Sequence, residues 1–228
     1  MASLLDIPQR SEAWFAARVG KVTASRIADM MAKTKSGWGA GRTNYLAELV
    51  AERLTGVSQS GYVNGAMQRG VETEPEAITA YEFYSDNAVT PVGFIPHPTI
   101  EQSGASPDGH VGDDGSVEVK CPNTSTHIDT LLGGSVPGKY ILQIQWQLAC
   151  SGRSWCDFVS YDSRMPEELK LFVRRVDRDD AKIAELESEV EIFLGEIDAK
   201  VQQLNALIQG TSPLATVLES SLAMVNAR

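Results

Sequence analysis

The stretch Ser106-Pro107-Asp108-Gly109-His110-Val111-Gly112-Asp113-Asp114-Gly115-Ser116-Val117-Glu118-Val119-Lys120 decides how the rest of the chain is read. Its end, Val117-Glu118-Val119-Lys120, alternates apolar and polar side chains. That is the period-2 pattern of a β-strand with one buried face. The register predicts Val117 and Val119 toward a core, with Glu118 and Lys120 together on the opposite face. Gly112-Asp113-Asp114-Gly115 is a turn sequence, so 106–120 is expected to form a β-hairpin. Positions 108 and 118 are symmetric about residue 113, which lets Asp108 sit opposite Glu118. Directly opposed residues have Cβ atoms about 4.5–5.5 Å apart. Two carboxylates that close repel each other unless a cation stands between them. A lysine two residues along the same face completes a set suited to a hard, oxygen-liganded metal and an activated water.

Composition bounds the rest. With 228 residues, 43% of them hydrophobic, the chain is long enough for a sizeable core. We expect a single domain over 1–210 and a helical tail over 211–228. No apolar run approaches the roughly 20 residues needed to span a bilayer, and the N-terminus lacks the pattern of a signal peptide. Three cysteines, Cys121, Cys150 and Cys156, fit a reducing cytoplasm and do not make a zinc motif. The histidines, His97, His110 and His127, are scattered and read as structural. The net charge of −10 argues against nucleic acid, but its distribution does not. Residues 1–70 carry nine Lys/Arg against five Asp/Glu, and the other 158 carry eleven against twenty-five.

Patterning outside the hairpin predicts alternating helices and strands. Glu12 to Arg18 reads as a short helix stopped by Gly20, and Thr23 as the N-cap of a second helix with Ile27, Met30 and Met31 on one face. Lys33 to Arg42 is a Gly-rich basic loop whose Lys33, Lys35 and Arg42 could follow a DNA backbone. Helices are expected over 44–54, from Pro75 through Tyr84, and over 138–148. Strands are expected over 92–95, 155–161 and 171–176, a loop with room for one helical turn over 124–138, and a long amphipathic helix over 177–208. Ser212-Pro213 reads as the start of the tail helix.

S-P-D-G followed by Glu118-Val119-Lys120-Cys121-Pro122 resembles the active-site motif of the lambda-exonuclease/YqaJ-type viral recombinase family, within the PD-(D/E)xK nuclease superfamily. Trp14 with Arg18-x-Gly20-x-x-Thr23-Ala24-Ser25, Gly70…Glu74, Tyr140-x-x-Gln143-x-Gln145 and Tyr161-Asp162-Ser163-Arg164-Met165 are similar to further motifs of that family. The resemblance implies an α/β (α+β) fold with a central mixed sheet flanked by helices in a restriction-endonuclease-like core. It implies that Asp108, Glu118 and Glu74, with the Val119 carbonyl, hold two Mg²⁺ ions (Mn²⁺ substituting), and that Lys120 acts on the water. Glu72 and Glu76 compete with Glu74 for the third acidic role. Arg18, Thr23, Ser25 and Ser106 would hold the 5′-phosphate of a DNA end, and Gln143 would face the scissile phosphate or nearby hydroxyls. Met67 and Arg69 are possible strand contacts; Gln145 and Gln147 read as surface. The implied activity is 5′→3′ digestion of one strand of linear duplex DNA, leaving a 3′ overhang for phage-type recombination. The implied assembly is a homotrimeric ring beside a single-strand annealing protein. The superfamily also hosts endonucleases, and a noncatalytic DNA-binding module is the alternative outside it.

Overall fold

The computed structural model describes residues 6–59 and 65–210. At its centre lies the expected hairpin. Strand β7 (Gly109–Val111) turns through Gly112, whose φ of +53° suits glycine, into β8 (Gly115–Lys120). The antiparallel register pairs Gly109 with Val117 and Val111 with Gly115, so the next step sets Asp108 across from Glu118. Arg153 braces the turn by donating to the carbonyls of Gly112 and Gly115. Gly115 has no substitute, because a Cβ there would lie 2.0 Å from the Trp155 ring.

Around the hairpin a five-stranded mixed sheet forms in the order β10-β9-β8-β7-β4. Its other members are β4 (Val89–Thr90), β9 (Trp155–Tyr161) and β10 (Leu171–Asp177). Strands β8 and β9 run parallel, which requires a crossover between them. Helices α5 (Thr124–Gly133) and α6 (Gly138–Ser151) supply it. A three-stranded sheet, β1 (Val22–Thr23), β6 (Ser103–Ala105) and β5 (Ile95–Pro96), lies alongside. The predicted strand over 92–95 is thus confined to its last residue and Pro96.

Both faces of the large sheet are covered. On one, Val111, Val117, Val119 and Val159 pack against Ala77 and Tyr81 of α4 (Gly65–Ser85). On the other, Cys156 and Phe158 meet Ile144 and Leu148 of α6 and Ile183 of α7 (Asp180–Ile208). The side of β8 that carries Glu118 was expected to be polar and open. It is instead shielded by α6, and Glu118 is only 1% exposed. A further core joins Ile27 and Met30 of α2 (Ile27–Met30), Leu49 of α3 (Ala40–Thr55) and Trp146 to Val190 and Phe193 of α7. Burial every three or four residues, at Ile183, Leu186, Val190, Phe193 and Ile197, explains the long C-terminal helix.

Several expectations need correction. Helix α4 starts at Gly65, ten residues ahead of Pro75, so Pro75 lies inside the helix and Glu74 is not at an N-terminus. The 124–138 segment holds the ten-residue α5, because buried His127 bonds Ser160 and the Leu169 carbonyl. Helix α3 begins at Ala40, within what was read as loop, and β2 (Lys33–Thr34) pairs with β3 (Gly37–Trp38) ahead of it. Arg42 is consequently not a DNA-tracking side chain. It is 2% exposed, donates to the Met30 carbonyl (3.2 Å) and Glu196 (2.9 Å), and lies between the Trp38 and Phe193 rings. The predicted tail helix over 211–228 lies outside the described residues.

Hydrogen bonds that involve a charged group contribute about 1.5–3 kcal/mol. Arg42→Ala is therefore expected to destabilise the fold by about 2 kcal/mol while leaving DNA affinity intact. Denaturant unfolding and DNA-end binding, measured side by side, check both halves of that statement.

Candidate active site

The site is built where β8 ends against α6 and α4. The i, i+4 spacing of Gln143 and Gln147 puts both on one face of α6. Gln143 Nε2 donates to Glu118 Oε1 and Gln147 Nε2 to Glu118 Oε2, each at 2.6 Å. Lys120 reaches the same carboxylate from its own strand face and forms an ion pair with Oε1. Three donors thus hold a charge that burial would otherwise penalise heavily. A carboxylate offers about four lone-pair positions, so one remains open. Gln143 contacts the acid rather than open space, and Gln147, read from sequence as surface, is fully buried. Gln145 is also buried, not surface. It donates to the Asp177 carbonyl and accepts from the Asp179 N–H, tying α6 to the start of α7.

Asp108 lies across the hairpin, and its Oδ2 accepts the Val119 N–H at 2.7 Å. Burial, then the neighbouring charges of Glu118 and Glu74, hold its carboxyl well above the usual carboxylate range, and Lys120 offsets only part of this. Burial alone would lower the Lys120 ammonium. Glu118 and Asp108 outweigh it and keep the amine charged beyond its ordinary range. The Lys120 side chain is 27% exposed and lines a cleft beside α4 and α6.

Glu74 projects from mid-α4 and is paired with Arg10 Nη2 at 2.5 Å. It lines two clefts of about 470 Å³ each. One also contains Lys120, Arg69, Lys139 and Tyr140; the other contains Asp108 and Gln9. Of the competing acids, Glu76 accepts from Tyr161 Oη and Glu72 from Gln68, and neither lines these clefts. Arg69 donates to the Pro122 carbonyl and Asn123 at the cleft wall. The side chain of Met67 lies outside the described residues.

Just ahead of Asp108, the Ser106 hydroxyl accepts from Trp14 Nε1 (3.0 Å) and Arg18 Nη1 (3.3 Å). Helix α1 (Glu12–Arg18) brings those two side chains together, with the Arg18 guanidinium 4.0 Å from the Trp14 ring centroid. Burial lowers the Arg18 pKa to about 10, so it remains a cation at neutral pH. A pocket of about 280 Å³ is lined by Arg18, Lys21, Thr23 and Ser25. Thr23, expected to cap the helix that carries Ile27 and Met30, instead precedes a 3₁₀ turn and makes no capping bond; Arg26 stands at the N-cap of α2. Glu48 and Glu52 share this pocket, yet both are occupied, Glu48 by Arg26 and Glu52 by the N–H groups of Gly20 and Gln59. Lys33 and Lys35 are exposed, with the Lys33 amine over the Trp38 ring.

The donors fit a hard divalent cation in kind. Asp108 offers carboxyl oxygens beside two other acids, and Glu118 keeps one free lone pair. Among the described residues, however, no three of His, Cys, Asp and Glu are gathered around one point. Glu74, the third acid, is paired with Arg10 while it shares a cleft with Asp108. Sequence reasoning missed Arg10 because nothing local couples residue 10 to residue 74. It missed Gln147 although the i+4 spacing from Gln143 was the available signal.

The geometry has counterparts among known proteins. The chain is similar in structure to an alkaline exonuclease (LHK-Exo) from Laribacter hongkongensis, at 52% identity and TM-score 0.82 over 89% of this chain and 100% of that one. LHK-Exo in complex with dAMP matches at TM-score 0.83, with the same identity and coverage. A phage-related exonuclease from Haemophilus somnus 129PT shares the fold at 16% identity and TM-score 0.63, covering 81% of this chain and 96% of that one. No curated protein matches the chain. The family model for the YqaJ-like viral recombinase domain matches residues 13–154, a span that contains Arg18, Glu74, Asp108, Glu118, Lys120 and Gln143. The chain therefore belongs to the YqaJ-like viral recombinase family and is, as that family is, a nuclease.

Proposed function

We propose that the chain is a divalent-metal-dependent exodeoxyribonuclease that enters linear duplex DNA at an end and removes one strand 5′→3′. A 3′ single-stranded overhang remains for annealing-type phage recombination. The observation that carries this reading is the closeness of two features. Lys120, paired with the buried Glu118, lines a basic cleft that shares Glu74 with the cleft lined by Asp108, and Ser106, two residues before Asp108, is bonded to Arg18. A relative at 52% identity, named an alkaline exonuclease and solved with dAMP, supports release of nucleotides from an end over internal cutting.

In this reading Asp108, Glu118 and the Val119 carbonyl would hold two Mg²⁺ ions, with Glu74 joining on release from Arg10 and Mn²⁺ substituting. The ions would supply Lewis acidity at the scissile phosphate and would lower the pKa of the attacking water. Lys120, kept protonated by Glu118 and Asp108, hydrogen-bonds the water and offsets charge developing on the phosphate. Gln143, at the rim of the buried Glu118, orients that carboxylate toward the reacting centre. Arg18 grips the terminal 5′-phosphate with Thr23, Ser25 and Ser106, which sets the distance from chain end to cleavage point. Arg69, Lys33 and Lys35 follow the backbone. A ring of three copies, which the family resemblance implies, would keep the enzyme on its strand, and a single-strand annealing protein would receive the overhang.

Asp108→Ala and Lys120→Ala are each expected to abolish Mg²⁺-dependent digestion of a linear duplex while end binding survives. Undiminished digestion by either variant sinks the assignment, and digestion of closed circular duplex by the wild type would favour an endonuclease. Arg18→Ala is expected to reduce the preference for 5′-phosphorylated over 5′-hydroxyl ends, and an unaltered ratio counts against that role.

The raised proton affinity of Asp108, caused first by burial and then by Glu118, has a defined sign. Protons compete with the cation at a pH where an exposed aspartate is already ionised. Mn²⁺ binding is therefore expected to release protons and to weaken on acidification through that raised range. Calorimetry in two buffers of different ionisation enthalpy measures the release, and none would contradict the expectation.

A further inference from the structure

Glutamines 143 and 147 both donate to Glu118, yet they are not equivalent. Gln143 is 8% exposed and sits a turn nearer the Tyr140 end of α6, where the basic cleft opens. Gln147 is 0% exposed, and neither glutamine lines the clefts that reach Glu74. A DNA strand has no route to Gln147. Its carbonyl oxygen is more telling, for among the described residues Oε1 is buried without any hydrogen-bond partner. A buried, unsatisfied acceptor of this kind is destabilising. Turning the amide over would not relieve it, because Oε1 would then face the Glu118 carboxylate and repel it. The amide is therefore fixed by one contact, the 2.6 Å bond from Nε2 to Glu118 Oε2. Leucine or methionine would fill the volume between β8 and α6 without leaving an orphan acceptor, so packing alone does not account for a glutamine.

We propose that Gln147 is a positioning residue for the metal centre. It holds the Glu118 carboxylate turned so that its one free lone pair faces the Asp108 side of the hairpin. Gln143, at the cleft end, is the glutamine able to exchange its bond for one to substrate; Gln147 is the permanent holder. This inference rests on the proposed role of Asp108 and Glu118 as metal ligands. Partners that orient a ligating carboxylate are worth roughly 10–100-fold in metal affinity.

The test uses the full chain without DNA and reads metal binding directly, by the loss of the free Mn²⁺ electron-paramagnetic-resonance signal. Gln147→Met keeps the side-chain length and removes the donor. It is expected to weaken Mn²⁺ binding by roughly 10–100-fold, with a native circular-dichroism spectrum, and to raise the Mg²⁺ concentration that gives half-maximal digestion. Gln147→Glu, nearly identical in volume, serves if the methionine variant does not fold, and is expected to weaken binding at least as much. Asp108→Ala runs in parallel. Loss of Mn²⁺ binding in Asp108→Ala together with unaltered affinity in the folded Gln147 variants overturns the inference and leaves the metal site standing. Unaltered binding in Asp108→Ala overturns the metal site itself, and this inference with it.

Discussion

A carboxylate sealed from water is the constraint around which the molecule is arranged. Glu118 is nearly inaccessible, on a strand covered on both faces. An ionised acid in that position is tolerable only if hydrogen-bond donors replace the water it has lost. Gln143 and Gln147 do so from α6, and Lys120 does so from the same strand. Those contacts fix how α6 lies across the sheet. Because α6 follows β8 through α5 and returns to the parallel β9, they also fix the crossover. Burial of Ile144 and Leu148 beside the glutamines gives the apolar half of the same interface.

Asp108 stands on the other side of the hairpin under different terms. One backbone N–H supports it, and two neighbouring acids oppose its charge. One acid is therefore amply neutralised, and the other is held at raised energy beside it. Such asymmetry would favour a divalent cation in the proposed site, since an ion relieves most where local compensation is least. The surroundings carry the same sign logic outward. The net charge of −10 is concentrated beyond residue 70, much of it on α7, whereas Arg18, Lys21, Arg69, Lys120 and Lys139 line the pockets near the hairpin. An acidic exterior with cationic clefts restricts a polyanion to the places where it can react.

The hairpin, its register and the pairing of Asp108 with Glu118 were legible in the sequence, since they follow from a period of two and a turn of four residues. The strands at 155–161 and 171–177 and the long helix to Ile208 were legible for the same reason: each repeats its apolar residues at its own period. Arg18 and Ser106 were named as one phosphate-gripping group and do meet, although 88 residues separate them. Resemblance of motifs, not periodicity, linked those two.

Other features depend on distant partners and leave no local trace. Basic, Gly-flanked Arg42 looked like a mobile DNA contact, but Trp38, Phe193 and Glu196 enclose it. Helix α5 forms from threonine-rich sequence because His127 is anchored by Ser160 and Leu169, more than thirty residues on. Arg10 claims Glu74 across 64 residues. The sequence by itself determined which side chains share a strand face, because neighbours along a chain obey a fixed geometric period. Only the tertiary structure decided which of those side chains lose water and which charges meet them, because desolvation depends on what elements from elsewhere are laid on top.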